Sequence, residues 1–230
     1  STERENSFMD NLLGENNERL RKQQEQPITA IIGNPPYSSG QNSANDNNQN
    51  ETYPILEESI SKTYVSKSKA YNFAGVYDSY IKAFRWSSDR LSGNGIIGFV
   101  TNGSYIDSKS MDGLRASLYN EFNHLYIFNL RGNQRTQGEQ SRKEGGKIFG
   151  SGSRAPIAIS ILVKDGSENH EIHYHDIGDY LTQKEKLKII REFDSIENID
   201  WDEIKPDENN DWINQRNPLF DTFIPLKDIQ

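Results

Sequence analysis

The sequence has no cysteine among its 230 residues and no apolar run long enough to span a membrane. Without cysteine the protein has no disulfide bond, no thiolate zinc site and no cysteine nucleophile. No charged segment followed by an apolar core opens the chain, so a secretory signal is not indicated. The composition is polar, with 33% hydrophobic residues and a mean hydropathy of −0.85. We therefore expect a protein of the reducing cytoplasm.

The charges are unevenly distributed along the chain. Acidic residues outnumber basic ones by 34 to 26, which gives a net charge of −8. Residues 131–154 nevertheless carry six basic side chains against two acidic ones, whereas residues 165–212 carry fifteen acidic against five basic. A basic loop on an acidic body can meet a phosphate backbone. A solvated loop with a chance asymmetry of charge would give the same pattern.

The apolar patterns predict an α/β fold with a mostly parallel sheet. Uninterrupted or alternating apolar segments predict strands at residues 28–32, 95–105, 124–130, 155–164 and 170–177. Apolar residues at helical spacing predict helices at residues 77–91, 108–122 and 182–193. The third and fourth strands have no helix between them, so we expect an antiparallel β-hairpin at the edge of the sheet. The first strand is predicted to be buried on both faces, and residues 131–155 are predicted to form a long loop.

Two motifs match patterns of ligand-binding sites, but we interpret neither as such a site. The sequence GNGIIG (93–98) matches a dinucleotide-binding pattern, but its glycines precede the strand instead of leading from a strand into a helix. His173 and His175 lie on one face of an alternating strand, as a pair of metal ligands would. Surface histidines on such strands are common, and the sequence shows no further ligand grouped with them. We therefore expect no metal site.

The segment TAIIGNPPYSSG (29–40) raises a different question, because an apolar strand stops abruptly at Asn34-Pro35-Pro36-Tyr37. Two consecutive prolines lack backbone N–H groups and have a fixed φ, so the strand cannot continue past Asn34. Asn34 and the carbonyl groups beside it are thereby held at the carboxyl end of a strand, where ligands bind in open α/β sheets. A strand-capping turn with incidental prolines is the alternative.

This arrangement suits the methylation of an exocyclic amine on a nucleobase. The lone pair of such an amine is delocalised into the ring, which makes the nitrogen a poor nucleophile. Hydrogen bonds from its N–H groups to the Asn34 side-chain oxygen and the Pro35 carbonyl would favour the pyramidal geometry that restores the lone pair. The ring of Tyr37 offers a surface on which a flipped base can stack. No general base with a tuned pKa is required.

These residues resemble the gamma class of N6-adenine DNA methyltransferases, which depend on S-adenosylmethionine. Beyond the motif in IIGNPPY, four further segments resemble the modification module of type I single-polypeptide (ISP) restriction-modification enzymes: YDSYIKAFRWSSDRL, GIIGFVTNGSYID, DGLRASLYNEF and NLRGNQRT. The resemblance runs from about residue 7 to the end of the chain. It implies a bacterial protein that acts on double-stranded DNA, with nuclease and ATP-dependent motor domains upstream in the same polypeptide.

The resemblance assigns roles to individual residues. Asn34, Pro35, Pro36 and Tyr37 would form the catalytic set, with Asn34 also near the cofactor. Asp10, in MDNLL, would bind the adenine of S-adenosylmethionine. Phe149 would pack on the far side of the extruded base, although an anchor in the core is an equally good interpretation. Arg131, Arg135 and Arg154 would contact DNA phosphates.

One expected element is missing upstream of Asn34. Only 33 residues precede it, and none forms the glycine-rich turn after a first strand that holds the methionine part of the cofactor. We therefore expect the C-terminal half of a Rossmann-like methyltransferase domain at residues 1–180. Residues 181–230 would then form a helical and irregular linker toward a target-recognition domain. The chain starts at Ser1 and ends in mid-pattern, so we expect a segment of a longer polypeptide that is inactive alone. Methylation of cytosine N4, RNA or protein glutamine, or a non-catalytic DNA-binding scaffold, are the alternatives.

Overall fold

The computed structural model describes residues 14, 16–36, 53–150 and 153–216. Its strands are β1 (Ile28–Gly33), β2 (Leu91–Asn102), β3 (His124–Arg131), β4 (Ile157–Lys164), β5 (Glu171–Asp176) and β6 (Asp202–Ile204). The α-helices of these ranges are α1 (16–25), α2 (Pro54–Ile60), α3 (Ser79–Arg90), α4 (Asp112–Glu121), α5 (Gly138–Glu144) and α6 (Gln183–Phe193). Within the same ranges no helix combines the length and apolar character needed to cross a membrane.

The strands form one sheet in the order β1-β2-β4-β3-β5-β6. Parallel pairing joins β1 to β2 and β3 to β5, whereas β4 is antiparallel to β2 and β3, and β6 to β5. Four strands, β1, β2, β3 and β5, therefore run in one direction, which confirms the predicted α/β fold. The β3–β4 hairpin also forms, but its predicted place at the edge is wrong. All eight residues of β4 pair with β2 as well, so β4 lies inside the sheet.

The strand before Asn34 differs from its prediction of burial on both faces. β1 is an edge strand with β2 as its neighbour, and the side chain of Ile32 is 88% exposed. Ile31 points to the opposite face of the sheet. It packs there against the larger of the two apolar cores, which we call the main core. The apolar sequence suits burial, but no described element covers Ile32 at this end of its face. The three glycines of GNGIIG lie within β2, whereas the sequence pattern placed them before the strand.

Helices cover both faces of the sheet and create two apolar cores. On one face, α3 and α4 contribute Phe84 and Leu114, and the Phe84 ring meets the rings of Phe99 and Tyr105 at centroid distances of 5.3 and 5.5 Å. On the other face, α6 packs against the smaller core that contains Phe128. The sheet is thereby held as the rigid middle layer of three, which keeps the ends of its strands in place.

The chain after residue 181 packs on the same sheet. The helix predicted there begins with a capping box, in which Thr182 and Glu185 each bond the other's backbone N–H group. Farther on, β6 extends the sheet, and Trp212 is fully enclosed in the main core, with its ring 6.1 Å from that of Tyr105. The described part of the predicted linker is thus attached to the domain, and its role as a link stays a prediction.

Candidate active site

The carboxyl ends of the parallel strands bring three turns to one edge of the sheet. β1 ends at Gly33 and continues into Asn34, β2 ends at Asn102, and β3 ends at Arg131. Because β1, β2 and β3 run in the same direction, these ends share the edge where ligands bind in α/β sheets. The predicted position of Asn34 at the end of a strand is confirmed.

Asn34 presents an exposed side-chain amide at this edge. Its residue is exposed, and no described residue forms a hydrogen bond with its side chain. Pro35, half-buried, and Pro36, exposed, follow outside the strand, because pairing with β2 ends at Gly33. Immediately before the amide, the ring of Phe99 packs so closely over Gly33 that an added Cβ would lie 3.3 Å from it. The amide thus sits on a rigid support with its oxygen available as an acceptor.

The turn after β2 joins this edge to the start of β4. The side chain of Asn102 accepts a hydrogen bond from the backbone N–H of Ser104 at 2.9 Å, and Gly103 N–H donates to the carbonyl of Pro156 at 2.8 Å. Asn102 is buried, although the sequence indicated only a polar turn. The Asn-Gly-Ser pattern is an N-cap signal that could have predicted this side-chain bond.

In residues 131–155, which we call the basic loop, the described part of the chain contains more regular structure than predicted. They contain helix α5, and the loop closes on itself because Gly132 N–H donates to the carbonyl of Glu144 at 3.1 Å. Lys186 of α6 fastens the start of the basic loop to the end of α5, since its Nζ donates to the carbonyls of Leu130 at 2.9 Å and Glu144 at 2.7 Å. Burial lowers the pKa of Lys186 to about 8, which the nearby Glu144 carboxylate partly opposes. The prediction of a long loop missed helix α5 and these contacts, which α6 supplies from outside the segment.

The second half of the basic loop is fixed against the start of α6. Gly146 N–H donates to the carbonyl of Leu181 at 2.8 Å, and the Gln183 side chain donates to the carbonyl of Ile148 at 2.6 Å. Phe149 follows directly and is half-buried beside the smaller core. Its side chain thus contributes to the core, and its role as a surface for stacking stays a prediction.

Alanine at position 145 should release this part of the loop. Gly145 has φ 66° and ψ −153°, and an added Cβ would lie 2.2 Å from the carbonyl oxygen of Leu181. We expect the free energy of unfolding to fall by about 1–3 kcal/mol, measured by urea denaturation, because that backbone region is almost restricted to glycine. Gly150→Ala is the matched control, since no atom of the part of the chain that the structure describes lies within 4 Å of its added Cβ. Equal effects of both substitutions would contradict close packing as the cause.

The three arginines predicted to contact DNA have different surroundings. Arg131 has φ 56°, and its guanidinium binds the carboxylates of Asp176 at 2.6 Å and Asp179 at 2.5 Å. The guanidinium of Arg154 donates to the carbonyl of Gln134 at 2.7 Å on the surface. Arg135 is exposed, and no described residue forms an ion pair with it. Arg135 and Arg154 are therefore open to an incoming anion, whereas Arg131 already has two carboxylate partners.

Two of the predicted site residues, Asp10 and Tyr37, lie outside the described residues. The structure brings Asn34, Pro35 and Pro36 together at the end of β1. It places the arginines and Phe149 in the basic loop, which starts at the end of β3 and reaches the start of β4. Both groups belong to the same edge of the sheet, since the turn after β2 is bonded to Pro156.

Residues 2–135 match the profile of the family described as Eco57I restriction-modification methylase. No curated protein matches the chain. Among solved structures, a nuclease-deletion mutant of the Type ISP restriction-modification enzyme LlaGI, in complex with a DNA substrate mimic, is 68% identical with a TM-score of 0.86. The DNA-bound ATP-dependent Type ISP enzyme LlaBIII is 44% identical with a TM-score of 0.84, and DrdV in its DNA complex is 38% identical with a TM-score of 0.80.

These matches cover most of this chain and a small part of each relative. They span 93%, 92% and 88% of this chain, but 17%, 14% and 20% of the LlaGI, LlaBIII and DrdV chains. Both the profile and the identities agree with the resemblance seen in the sequence. The chain therefore belongs to the Eco57I family of restriction-modification methylases, as a methyltransferase module of the kind found in Type ISP enzymes.

Proposed function

We propose that this chain forms part of a site-specific DNA N6-adenine methyltransferase within a restriction-modification enzyme. The observation that carries the proposal is the exposed Asn34 amide, held at the carboxyl end of β1 by two prolines, in a chain of a methylase family. An amide oxygen and a fixed carbonyl at such a strand end are acceptors that an exocyclic amine needs. Residues 181–230 would lead from this domain toward target recognition.

The chain's residues act on the target amine by hydrogen bonding. The Asn34 side-chain oxygen and the Pro35 carbonyl accept the two N–H groups of adenine N6, which favours the pyramidal nitrogen with an available lone pair. Both acceptors are held by the rigid end of β1, so little reorganisation is needed as charge develops on the nitrogen. The adenine must leave the duplex to reach them. Tyr37 would stack on one side of the flipped base and Phe149 on the other.

S-Adenosylmethionine supplies an electrophilic methyl group when it is bound. Among the described residues, Asn34 fits part of its site, because it stands exposed at the strand end. Asp10, which would contact the cofactor's adenine, lies outside the described residues. Upstream of Asn34, however, the described residues form only α1 and β1, without a glycine-rich turn between a strand and a helix. We propose that the main cofactor loop lies upstream in a longer polypeptide.

The chain alone should therefore bind S-adenosylmethionine weakly or not at all. Isothermal titration of the purified chain is expected to show no saturable heat at cofactor concentrations that saturate the complete enzyme. The complete enzyme is the positive control, because it would contain the missing loop. Binding by the isolated chain at micromolar cofactor would show that the described half of the site is sufficient.

Double-stranded DNA is the proposed partner of the basic loop. LlaGI, LlaBIII and DrdV have each been solved with DNA, which supports the proposal. By the same similarity, nuclease and ATP-dependent motor domains would lie upstream in the same polypeptide, in a bacterial cytoplasm. Arg135 and Arg154 would contact phosphates directly. Arg131 could do so only if it exchanged Asp176 or Asp179 for a phosphate.

Removing either open arginine should weaken DNA binding uniformly across sequences. Each of Arg135→Ala and Arg154→Ala in the complete enzyme is expected to reduce the slope of log K against log salt by about one, because one phosphate contact is lost. Arg191→Ala is the control, since Arg191 is an exposed arginine on α6, outside the basic loop. If the slope were unchanged in both variants, these two arginines of the basic loop would not contact DNA phosphates, which would contradict the proposal.

The reaction is tested directly on the products of the complete enzyme. Incubation with S-adenosylmethionine and unmethylated duplex DNA, followed by digestion to nucleosides, should yield N6-methyladenine. N4-methylcytosine, or transfer of labelled methyl groups to RNA or protein glutamine, would assign one of the alternative acceptors. DNA binding that is salt-sensitive but accompanied by no methylated product would indicate a scaffold in which the motif caps a strand.

A further inference from the structure

Two histidines and a carboxylate converge where β3 and β5 begin. His124 pairs with Glu171 and Tyr126 with His173 in the parallel register, so the three side chains of the cluster share one face of the sheet. Nδ1 of His124 lies 3.1 Å from Oε2 of Glu171, and Nε2 of His173 lies 3.3 Å from the same oxygen. All three ligand atoms lie within 4.8 Å of one another. We call these residues the histidine cluster.

His173 has a ring nitrogen that its protein surroundings do not satisfy. Its Nε2 is buried and has no hydrogen-bond partner among the described residues, although the Glu171 oxygen is close. Leaving a buried nitrogen unpaired is costly, and such groups are uncommon in native proteins. Ligands of one metal ion direct their lone pairs at the ion and not at each other, so a short contact without a hydrogen bond is what a shared ion requires.

The surroundings of the cluster orient both imidazole rings. Nε2 of His124, the nitrogen away from Glu171, lies 3.1 Å from Oδ2 of Asp165. Each ring nitrogen of His124 is within hydrogen-bond distance of a carboxylate, and the tautomer with its proton on Nε2, bonded to Asp165, directs the Nδ1 lone pair toward a metal ion, the usual carboxylate–histidine arrangement. The ring of His173 is stacked on Tyr126 with a centroid distance of 4.5 Å and an interplanar angle of 16°. Contacts with neighbouring side chains therefore fix the orientation of the His124 and His173 rings, and with it the direction of Nδ1 of His124 and Nε2 of His173.

We propose that His124, His173 and Glu171 bind a divalent transition-metal ion, with Zn²⁺ as the reference ion. Two imidazole nitrogens and one carboxylate oxygen suit Zn²⁺, and the edges of a tetrahedral site with ligand distances of about 2.0–2.1 Å are about 3.3–3.4 Å long. Water would occupy the fourth position. The contacts of 3.1 and 3.3 Å are close to this edge length.

The site would tie β3 to β5 at the amino ends of the strands. Asn34 lies at the carboxyl end of β1, which runs in the same direction, so the histidine cluster is at the opposite edge of the sheet. The metal would therefore not take part in methyl transfer, and this proposal is independent of the proposed function. It departs from the expectation of no metal site, because His124 and Glu171 are 47 residues apart in sequence.

Zinc titration of the tag-free chain tests the proposal. Isothermal titration in a metal-depleted buffer should show one Zn²⁺ per chain, and His124→Ala and His173→Ala should each weaken binding at least tenfold. The other two histidines provide matched controls, since Nδ1 of His170 and Nδ1 of His175 are each placed against a backbone carbonyl. Their alanine variants should bind Zn²⁺ like the unsubstituted chain. Glu171→Gln keeps the side-chain size and should also lose affinity.

A second measurement does not depend on the variants remaining folded. In the unsubstituted chain, NMR of the imidazole nitrogens should show shifts of His124 and His173 on addition of one equivalent of Zn²⁺, with His170 and His175 unchanged. Absence of saturable binding, or shifts confined to His170 and His175, would overturn the proposal. Binding of equal strength in the His124 and His173 variants would do the same.

Discussion

Replacing Asn34 with alanine in the complete enzyme will lower methyl transfer by at least roughly 10²–10³-fold, the loss typical for one preorganised polar contact to a developing charge. The reason is that alanine removes the side-chain acceptor for the target amine, while β1 and the following prolines stay unchanged. DNA binding should be largely retained, because the basic loop does not involve Asn34. Formation of N6-methyladenine and DNA affinity are measured on the same preparation.

Asn94→Ala provides the matched control for this prediction. Asn94 is also an exposed asparagine, but it lies near the amino end of β2, where its side chain donates to the carbonyl of Asp165. Its variant should methylate DNA at the normal rate. Retained turnover in Asn34→Ala would defeat the catalytic assignment, and equal losses in both variants would point to an indirect effect on folding.

Arg115→Met will cause the largest loss of stability that we predict for this chain. Arg115 is completely buried, and its guanidinium donates to Asp211 at 2.6 Å and to the carbonyls of Tyr105, Ser108 and Asn210. Without Arg115 the buried Asp211 carboxylate keeps only the half-buried Arg216, whose Nε lies 2.9 Å from Oδ2, as a charge partner, and three carbonyls lose their donor. We expect the free energy of unfolding to fall by about 3–5 kcal/mol in urea denaturation.

A second substitution, at the partner residue Asp211, distinguishes loss of the ion pair from loss of the Arg115 side-chain volume as the cause of the lower stability. Asp211→Asn removes the carboxylate, so the double variant with Arg115→Met should be less unstable than the sum of the two single effects. Arg191→Ala, on exposed α6 surface, should stay within about 0.5 kcal/mol of the unsubstituted chain. A loss below about 1 kcal/mol in Arg115→Met would mean that the pair contributes little, as surface pairs do.

Most secondary structure could be predicted from local patterns. The strands at 124–130, 155–164 and 170–177 and the helix at 182–193 agree with β3, β4, β5 and α6 to within a few residues. Their apolar periodicity and, for α6, the Thr182–Glu185 capping box are local signals that do not depend on the rest of the chain. Helix α5 was missed because Gly138–Glu144 has no apolar stripe and buries none of its residues.

Relations between distant segments could not be predicted. The hairpin was recognised, but nothing local indicates that β4 also pairs with β2, because an apolar strand suits any interior position. Arg131 looked like a free phosphate ligand until Asp176 and Asp179 were found beside it. Tail residues that looked like a linker turned out to supply Trp212 to the core and Asp211 to Arg115.

The sequence by itself determined the α/β class, the end of β1 at Asn34-Pro35 and the resemblance to adenine methyltransferases. It could do so because these depend on residue types at fixed local spacing, above all two prolines after an apolar strand. Only the tertiary structure decided which charged groups are available. It paired Arg131 with two aspartates, left Arg135 open and brought His124, Glu171 and His173 together, because strand register joins residues that are far apart in the chain.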